Sequence, residues 1–140
     1  MSEVALGLAY LKSTLSADAT LSGYAPGGVR RAMAQPQAPA PYITIKHQDN
    51  GADAPVFGGS RAYSDLYYEV KVWGSASGTE TLINASDRID TLISTATPVA
   101  VSGGTIKACF RSQPLQSDEE PDGEQWSFFG GVYRMFITGG

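Results

Sequence analysis

The amino-acid sequence predicts an α+β fold: an antiparallel or mixed four- to five-stranded sheet with two helices packed on one face. Three observations carry this reading. Arg61 to Gly74 is the longest run of strand-like alternation, with Leu66, Tyr68, Val70 and Val72 on one parity and Tyr63, Asp65, Tyr67, Glu69, Lys71 and Trp73 on the other. A period of two sends these sets to opposite faces of a sheet, one apolar and one mixing charge with aromatic rings. Two other stretches, near Val4–Leu15 and Leu82–Ile93, instead place apolar residues three and four apart, the spacing of one helix face. The resulting order is helix, extended segment, two strands, helix, two strands. It contains no run of alternating strand and helix units, which disfavours a doubly wound parallel sheet.

The 140 residues suit a single domain, 1–140, able to bury one core without metal or disulfide staples. No apolar run approaches the roughly 18 to 20 residues of a membrane span, and the N-terminus lacks a basic region followed by a long apolar block, so a soluble protein made in the cytoplasm is expected. Cys109 is the only cysteine, and its place in an alternating run fits a small buried hydrophobe better than a nucleophile. The net charge of −4 disfavours nonspecific binding to phosphate backbones. That charge is uneven: Asp118, Glu119, Glu120, Asp122 and Glu124 stand close together with no basic residue among them.

In chain order, Glu3 to Ser16 reads as a helix with Ser2 as its cap and Val4, Leu8, Leu11 and Leu15 as its buried stripe. The helix is expected to fade through Ser16 to Thr20. From Gly23 to Pro41 the texture of Gly, Pro, Ala and Gln is that of an extended connection, with Val29 to Met33 as a short strand. Pro41 to His47 alternates as a second strand, Ile43, Ile45 and His47 against Tyr42, Thr44 and Lys46. Asp49 to Ser60 follows as a projecting loop, its turn signals Asn50-Gly51 and Gly58-Gly59 too far apart for a tight hairpin. Its Val56-Phe57 tip either folds back on the sheet or meets a partner.

Ser77 and Glu80 have the spacing of a capping box before a helix from about Thr79 to Ser94, whose stripe is Leu82, Ala85, Ile89, Leu92 and Ile93 and which Pro98 stops. Thr105 to Arg111 reads as a strand with Ile106, Ala108 and Phe110 opposed to Thr105, Lys107, Cys109 and Arg111. Gln125 to Thr138 is the last strand, with a bulge or bend expected at Gly130-Gly131 and an apolar face of Tyr133, Met135 and Ile137. An acidic loop, Gln113 to Glu124, joins these two.

No catalytic set emerges. His47 is the only histidine and no Gly-x-Ser-x-Gly elbow occurs. One Cys and one His are too few for an ordinary zinc site, and no phosphate-binding glycine motif is present. The acids from Asp118 to Glu124 lack the alternating ligand spacing of a helix-loop-helix calcium site, so a solvated hairpin tip is the plainer reading. No enzyme, cofactor or metal is therefore expected. A small-ligand-binding or enzymatic α+β domain stays as a distant alternative, with a pocket under the Asp49–Ser60 loop.

Taken together, the N-terminal helix, the Pro41-Tyr42-Ile43-Thr44-Ile45 entry, the Tyr67–Trp73 strand, the helix around Ala85 to Ile93 and the closing Tyr133–Thr138 strand resemble the tail terminator (tail completion) proteins of long-tailed bacteriophages. The acidic insertion Gln113–Glu124 has no counterpart in that pattern. The resemblance implies a virion protein, assembled in the host cytoplasm, that forms a ring of typically six subunits. Such a ring caps the head-proximal end of the tail tube, stops its elongation and docks the head connector, while DNA passes through its lumen without specific binding. A head-completion, neck or minor tail protein of the same virion is the nearest alternative. Under this resemblance Tyr63, Tyr67 and Trp73 would serve subunit packing, although a satellite core under Gly23–Pro41 explains their face equally well. Val56, Phe57, Arg61 and the acids Asp118, Glu119, Glu120, Asp122 and Glu124 would meet the tube or connector or line the lumen. Arg30 and Arg31 would pair with a neighbour's acidic loop, or simply be a solvated strand edge.

Overall fold

The first two helices begin where a side chain satisfies a free backbone donor. Ser2 Oγ accepts the Ala5 N–H at 3.3 Å, and α1 (Glu3–Ser16) then buries Leu6, Leu8, Tyr10, Leu11 and Leu15. In the computed structural model, which describes residues 2–31, 41–55, 61–75, 78–119 and 126–139, the chain does not fade into coil after α1. Asp18 accepts the Leu21 N–H at 2.9 Å and opens a second short helix, α2 (Ala19–Tyr24), which buries Leu21. Six residues span fewer than two turns, so no periodicity in the sequence could announce it.

The strands are β1 (Val29–Arg31), β2 (Tyr42–Pro55), β3 (Arg61–Ser75), β4 (Val99–Val101), β5 (Gly104–Glu119) and β6 (Trp126–Gly139), with α3 (Thr79–Ile93) between β3 and β4. They form one six-stranded sheet in the order β1-β2-β3-β6-β5-β4. Only β1·β2 is parallel, so the sheet is mixed; the expectation of four to five strands and two helices falls short by β4 and α2. The segment Arg61–Gly74 lies at the middle beside β6, and its Leu66, Tyr68, Val70 and Val72 face is buried as expected.

Three boundaries are corrected. Asp49 to Pro55 is not loop but the far half of β2: Ala52 pairs with Asp65 and Asp53 with Ser64 after a register shift beyond Gln48. Asn50-Gly51 thus marks a slip in the ladder, where a Cβ on Gly51 would approach the Asp65 carbonyl oxygen at 2.6 Å, instead of a chain reversal. Likewise Gln113 to Glu119 continues β5, paired with Val132 back to Trp126. Gly130 and Gly131 carry no bulge, since β6 pairs with β3 without a shift; the shifts lie in β5, at Ile106/Ala108 and Arg111/Gln113. These glycines instead allow close approach, because a Cβ on Gly130 would collide with the Val70 carbonyl oxygen.

The first β5 shift inverts its faces. Ile106 is buried, but one extra residue later it is Cys109 that enters the core beside Met135, while Phe110 turns outward. Strict alternation puts Phe110 with Ile106, and the bulge separates them. Helix α3 follows Gly78, which has no side chain to cap it, and the expected capping box falls on Ser77, which lies outside the described residues. The helix stops at Ile93, ahead of Pro98, and a turn through Gly103 (φ 94°) carries β4 into β5.

All three helices lie over one face. Their Leu6, Leu11, Leu15, Leu21, Leu82, Ile89 and Ile93 share a core with Ile43, Ile45, Tyr68, Val70, Val72, Ile106, Tyr133, Met135 and Ile137 of the sheet. Three phenols pin the layers together. Tyr10 donates to the Ile93 carbonyl (3.0 Å), Tyr68 to the Val4 carbonyl (3.0 Å), and Tyr133 to Asp90 Oδ1 (3.0 Å). The opposite face of the sheet carries none of these helices.

Candidate assembly surfaces

The helix-free face is built by parity. Odd residues of β3 stand beside even residues of β6 and, across β2, beside Tyr42, Thr44 and Lys46. Near the Trp73 end, Tyr42 stacks on Trp73 (centroids 6.5 Å, 14°) and contacts Trp126, and Trp73 packs on Phe128 at 4.8 Å. Tyr42 and Trp126 are buried as a small second cluster with Trp73 packed against it. The indole Nε1 of Trp73 donates to Thr44 Oγ1 at 3.0 Å. Cations cover the rings: Lys71 Nζ lies 4.3 Å from the Phe128 centroid, and the Arg30 guanidinium 5.2 Å from that of Tyr42. Trp73 is therefore held by its own chain, by residues of β2 and β6.

Toward the other end of the face the aromatic groups are more open. Tyr63 meets Phe136 edge-on at 5.5 Å, Phe110 meets Phe136 at 6.2 Å, and Arg134 lies over both Phe136 (4.9 Å) and Tyr67 (5.7 Å). Arg134 also forks onto Asp65, with Nε to Oδ1 at 2.8 Å and Nη2 to Oδ2 at 2.6 Å. Tyr63 and Tyr67 were legible as members of this face; Phe110, Phe136 and Arg134 were not. Phe110 is hidden from sequence reasoning by the bulge. The spacing of Arg134 and Asp65, 69 residues apart, becomes a contact only through the β3·β6 register.

Arg30, Arg31 and Asp118 stand toward the two lateral edges of the sheet. Arg30 and Arg31 are exposed on β1, the first strand of the sheet. Asp118 is exposed near the end of β5, where it accepts from Ser127 Oγ at 2.6 Å, and Glu119 stands opposite Trp126 in the ladder. Following the pairs across the sheet, Arg30 lies level with Thr44, Lys71, Gly130 and Leu115. Arg30, Arg31 and Asp118 thus lie toward the same end of the strands but at opposite sides of the sheet. Arg61 opens β3 opposite Pro55. Val56, Phe57, Glu120, Asp122 and Glu124 lie outside the described residues.

The Cys109, Tyr68 and Tyr133 side chains are held in the core. Burial, assisted by the negative charge of Asp90, pushes the Cys109 thiol up to about 12, where it is protonated and unreactive at neutral pH. Burial likewise raises the Tyr68 and Tyr133 phenols, so both remain hydrogen-bond donors. His47 packs edge-on against Tyr68 at 5.3 Å. Among the described residues no group of three or more His, Cys, Asp or Glu side chains could hold a metal ion, and no helix is long and apolar enough to cross a membrane. An open groove of about 420 Å³ runs between α3 and the β5–β6 arm, lined by Ile83, Asp87, Arg111, Leu115 and Phe129 among others.

The chain matches no protein-family model and no curated protein. Its fold is similar to that of a chain in the solved virion of a native gene transfer agent particle, with a TM-score of 0.73 and 19% sequence identity, covering 94% of this chain and 93% of that one.

Proposed function

We propose that this chain is a structural protein of a virion, and within the virion the terminator of a tail. In this reading copies close into a ring, typically of six, that caps the head-proximal end of the tail tube, stops its elongation and joins it to the head connector. The observation that carries it is the fold likeness to a chain of a virion particle, which runs end to end through both chains. Residue chemistry supports an assembly role: the described residues are invested in a packed core, a two-faced sheet and open edges, and no reactive constellation accompanies them. Contacts with neighbouring subunits, tube and connector draw on Arg30, Arg31, Arg61, Tyr63, Tyr67, Trp73, the Val56–Phe57 tip and the acids Asp118, Glu119, Glu120, Asp122 and Glu124. DNA crosses the lumen unbound, in keeping with the net charge of −4.

Particles assembled without this protein test the reading. A terminator's absence yields overlong, headless tubes of uncontrolled length. Tubes of normal length that fail to join heads would instead assign the chain to the neck, as a head-completion or connector component.

A further inference from the structure

An open sheet edge is a template for another strand, and native proteins either cover it or use it. Among the described residues, β4 pairs only with Gly104 to Ile106 and Thr95 bridges only Cys109, so the outer edge of β5 runs without a partner from Phe110 to Glu119. Phe110 and Ile83 are the two large apolar side chains most open to solvent among the described residues, at 40% each. Both border this edge. Phe110 lies on its helix-free side, and Ile83 lines the groove on its helix side together with Pro114 and Leu115. Unpaired backbone, flanked on both faces by exposed apolar groups, is the composition of a contact surface.

Charge and strand sense identify what fits there. Asp87 lines the groove with Pro114 and Leu115, the β5 residues level with Arg31 and Arg30 of the far edge, and Asp118 lies three residues farther along β5. Arg111 also lines the groove, and Lys107 stands nearer β4. β1 is parallel to β2, and each of the steps β2·β3, β3·β6 and β6·β5 is antiparallel, so β1 and β5 run in opposite directions. A second copy set beside the first in the same orientation therefore presents its β1 antiparallel to the open β5 edge, with Arg30 and Arg31 level with Leu115 and Pro114 beside the groove that Asp87 lines. Pro114, which lacks a donor, limits the new ladder to a short pairing, and β1 is only three residues long.

We infer that the β5 edge, with its Ile83 and Phe110 flanks, receives the β1 edge of a second copy of this chain, joining the sheets of neighbouring subunits head to tail. The inference rests on the assembly reading above in taking another copy as the partner. It moves the subunit joint from the aromatic face to the two lateral edges. Because the contacting surfaces differ, the contact is heterologous and each copy keeps one donor and one acceptor edge.

Two variants and their mixture test this. Arg30→Asp/Arg31→Asp removes the β1 surface, and Ile83→Asp/Phe110→Asp removes the β5 surface; all four side chains are solvent-accessible, so circular dichroism melts should match the native protein. By light scattering the native chain forms multimers, each variant alone is monomeric, and the equimolar mixture gives one-to-one dimers joined through the intact edges. Variants that multimerise like the native chain, a mixture that stays monomeric, or a native chain that is itself monomeric would each overturn the edge contact. The two ideas fail separately: closed native rings indifferent to both variants sink the edge joint and spare the terminator, whereas capped dimers from the mixture with open native filaments do the reverse.

Discussion

Gly7 shows how one missing side chain organises the core. It lies on α1 directly against Tyr68, whose hydroxyl donates to the Val4 carbonyl, and a Cβ there would fall on the phenol itself. In a free helix Ala is favoured over Gly by about 1 kcal/mol. Here overpacking, typically about 1–3 kcal/mol, opposes that gain, and the displaced phenol also loses a buried hydrogen bond worth about 1 kcal/mol. Gly7→Ala is therefore expected to destabilise the protein by about 1–2 kcal/mol in a urea titration. An unchanged or increased midpoint would show that the Tyr68 side chain is free to move away. Cys109 and Phe110 teach the related lesson that neighbours in sequence can exchange roles, core against surface, when one extra residue enters a strand.

At the scale of elements, the short α2 is held to α3 by a carboxylate that serves both. Asp18 caps α2 through Leu21 and accepts both prongs of Arg88, Nε at 3.0 Å and Nη2 at 2.8 Å. Chiefly the Arg88 hydrogen bonds, then the Leu21 N–H, lower its carboxyl from an ordinary 3.8 to about 2. A carboxyl lowered by folding stabilises the native state above its unfolded value and loses that stabilisation as pH falls toward its folded value. The Asp18 contribution is thus intact above about pH 4 and disappears down to about pH 2. Asp18→Asn keeps an acceptor for the cap but removes the charge. Thermal melts of this variant should fall less steeply than those of the native chain between pH 4 and pH 2, and equal slopes would contradict the assignment. The effect should be modest, since the pair is partly open to solvent and screened.

For the whole molecule, the separation of charge between edges predicts that assembly and stability can be uncoupled. Replacing Asp118, Glu119, Glu120 and Asp122 with Asn or Gln is expected to leave the monomer's stability within about 0.5 kcal/mol, because Asp118 is exposed and an amide oxygen in place of its carboxylate can still accept from Ser127. In the proposed assembly, association between copies should weaken, and added salt should act on the native chain in the same direction. Sedimentation of both proteins across ionic strength measures this. Assembly and head joining unchanged in the variant would remove the acids from interface and lumen alike.

Much of the fold was legible in the amino-acid order. Local periodicity alone specifies α1, the body of α3, the buried face of β3 and the Tyr133, Met135, Ile137 face of β6, because in each the apolar spacing repeats often enough to outweigh its exceptions. Composition likewise indicates the lack of a histidine or cysteine cluster and the concentration of acid after Ser117. The tertiary structure decided what depends on pairing at a distance. Hydrogen bonding to β3 and β6 drew Asp49–Pro55 and Gln113–Glu119 into strands, and bulges reversed the faces of β5 and turned Phe110 outward. The same sheet order put Arg30 and Arg31 on one lateral edge and Asp118 near the other. Each of these outcomes is set by the register between chain segments far apart in sequence, where one residue of slip moves a side chain from core to surface.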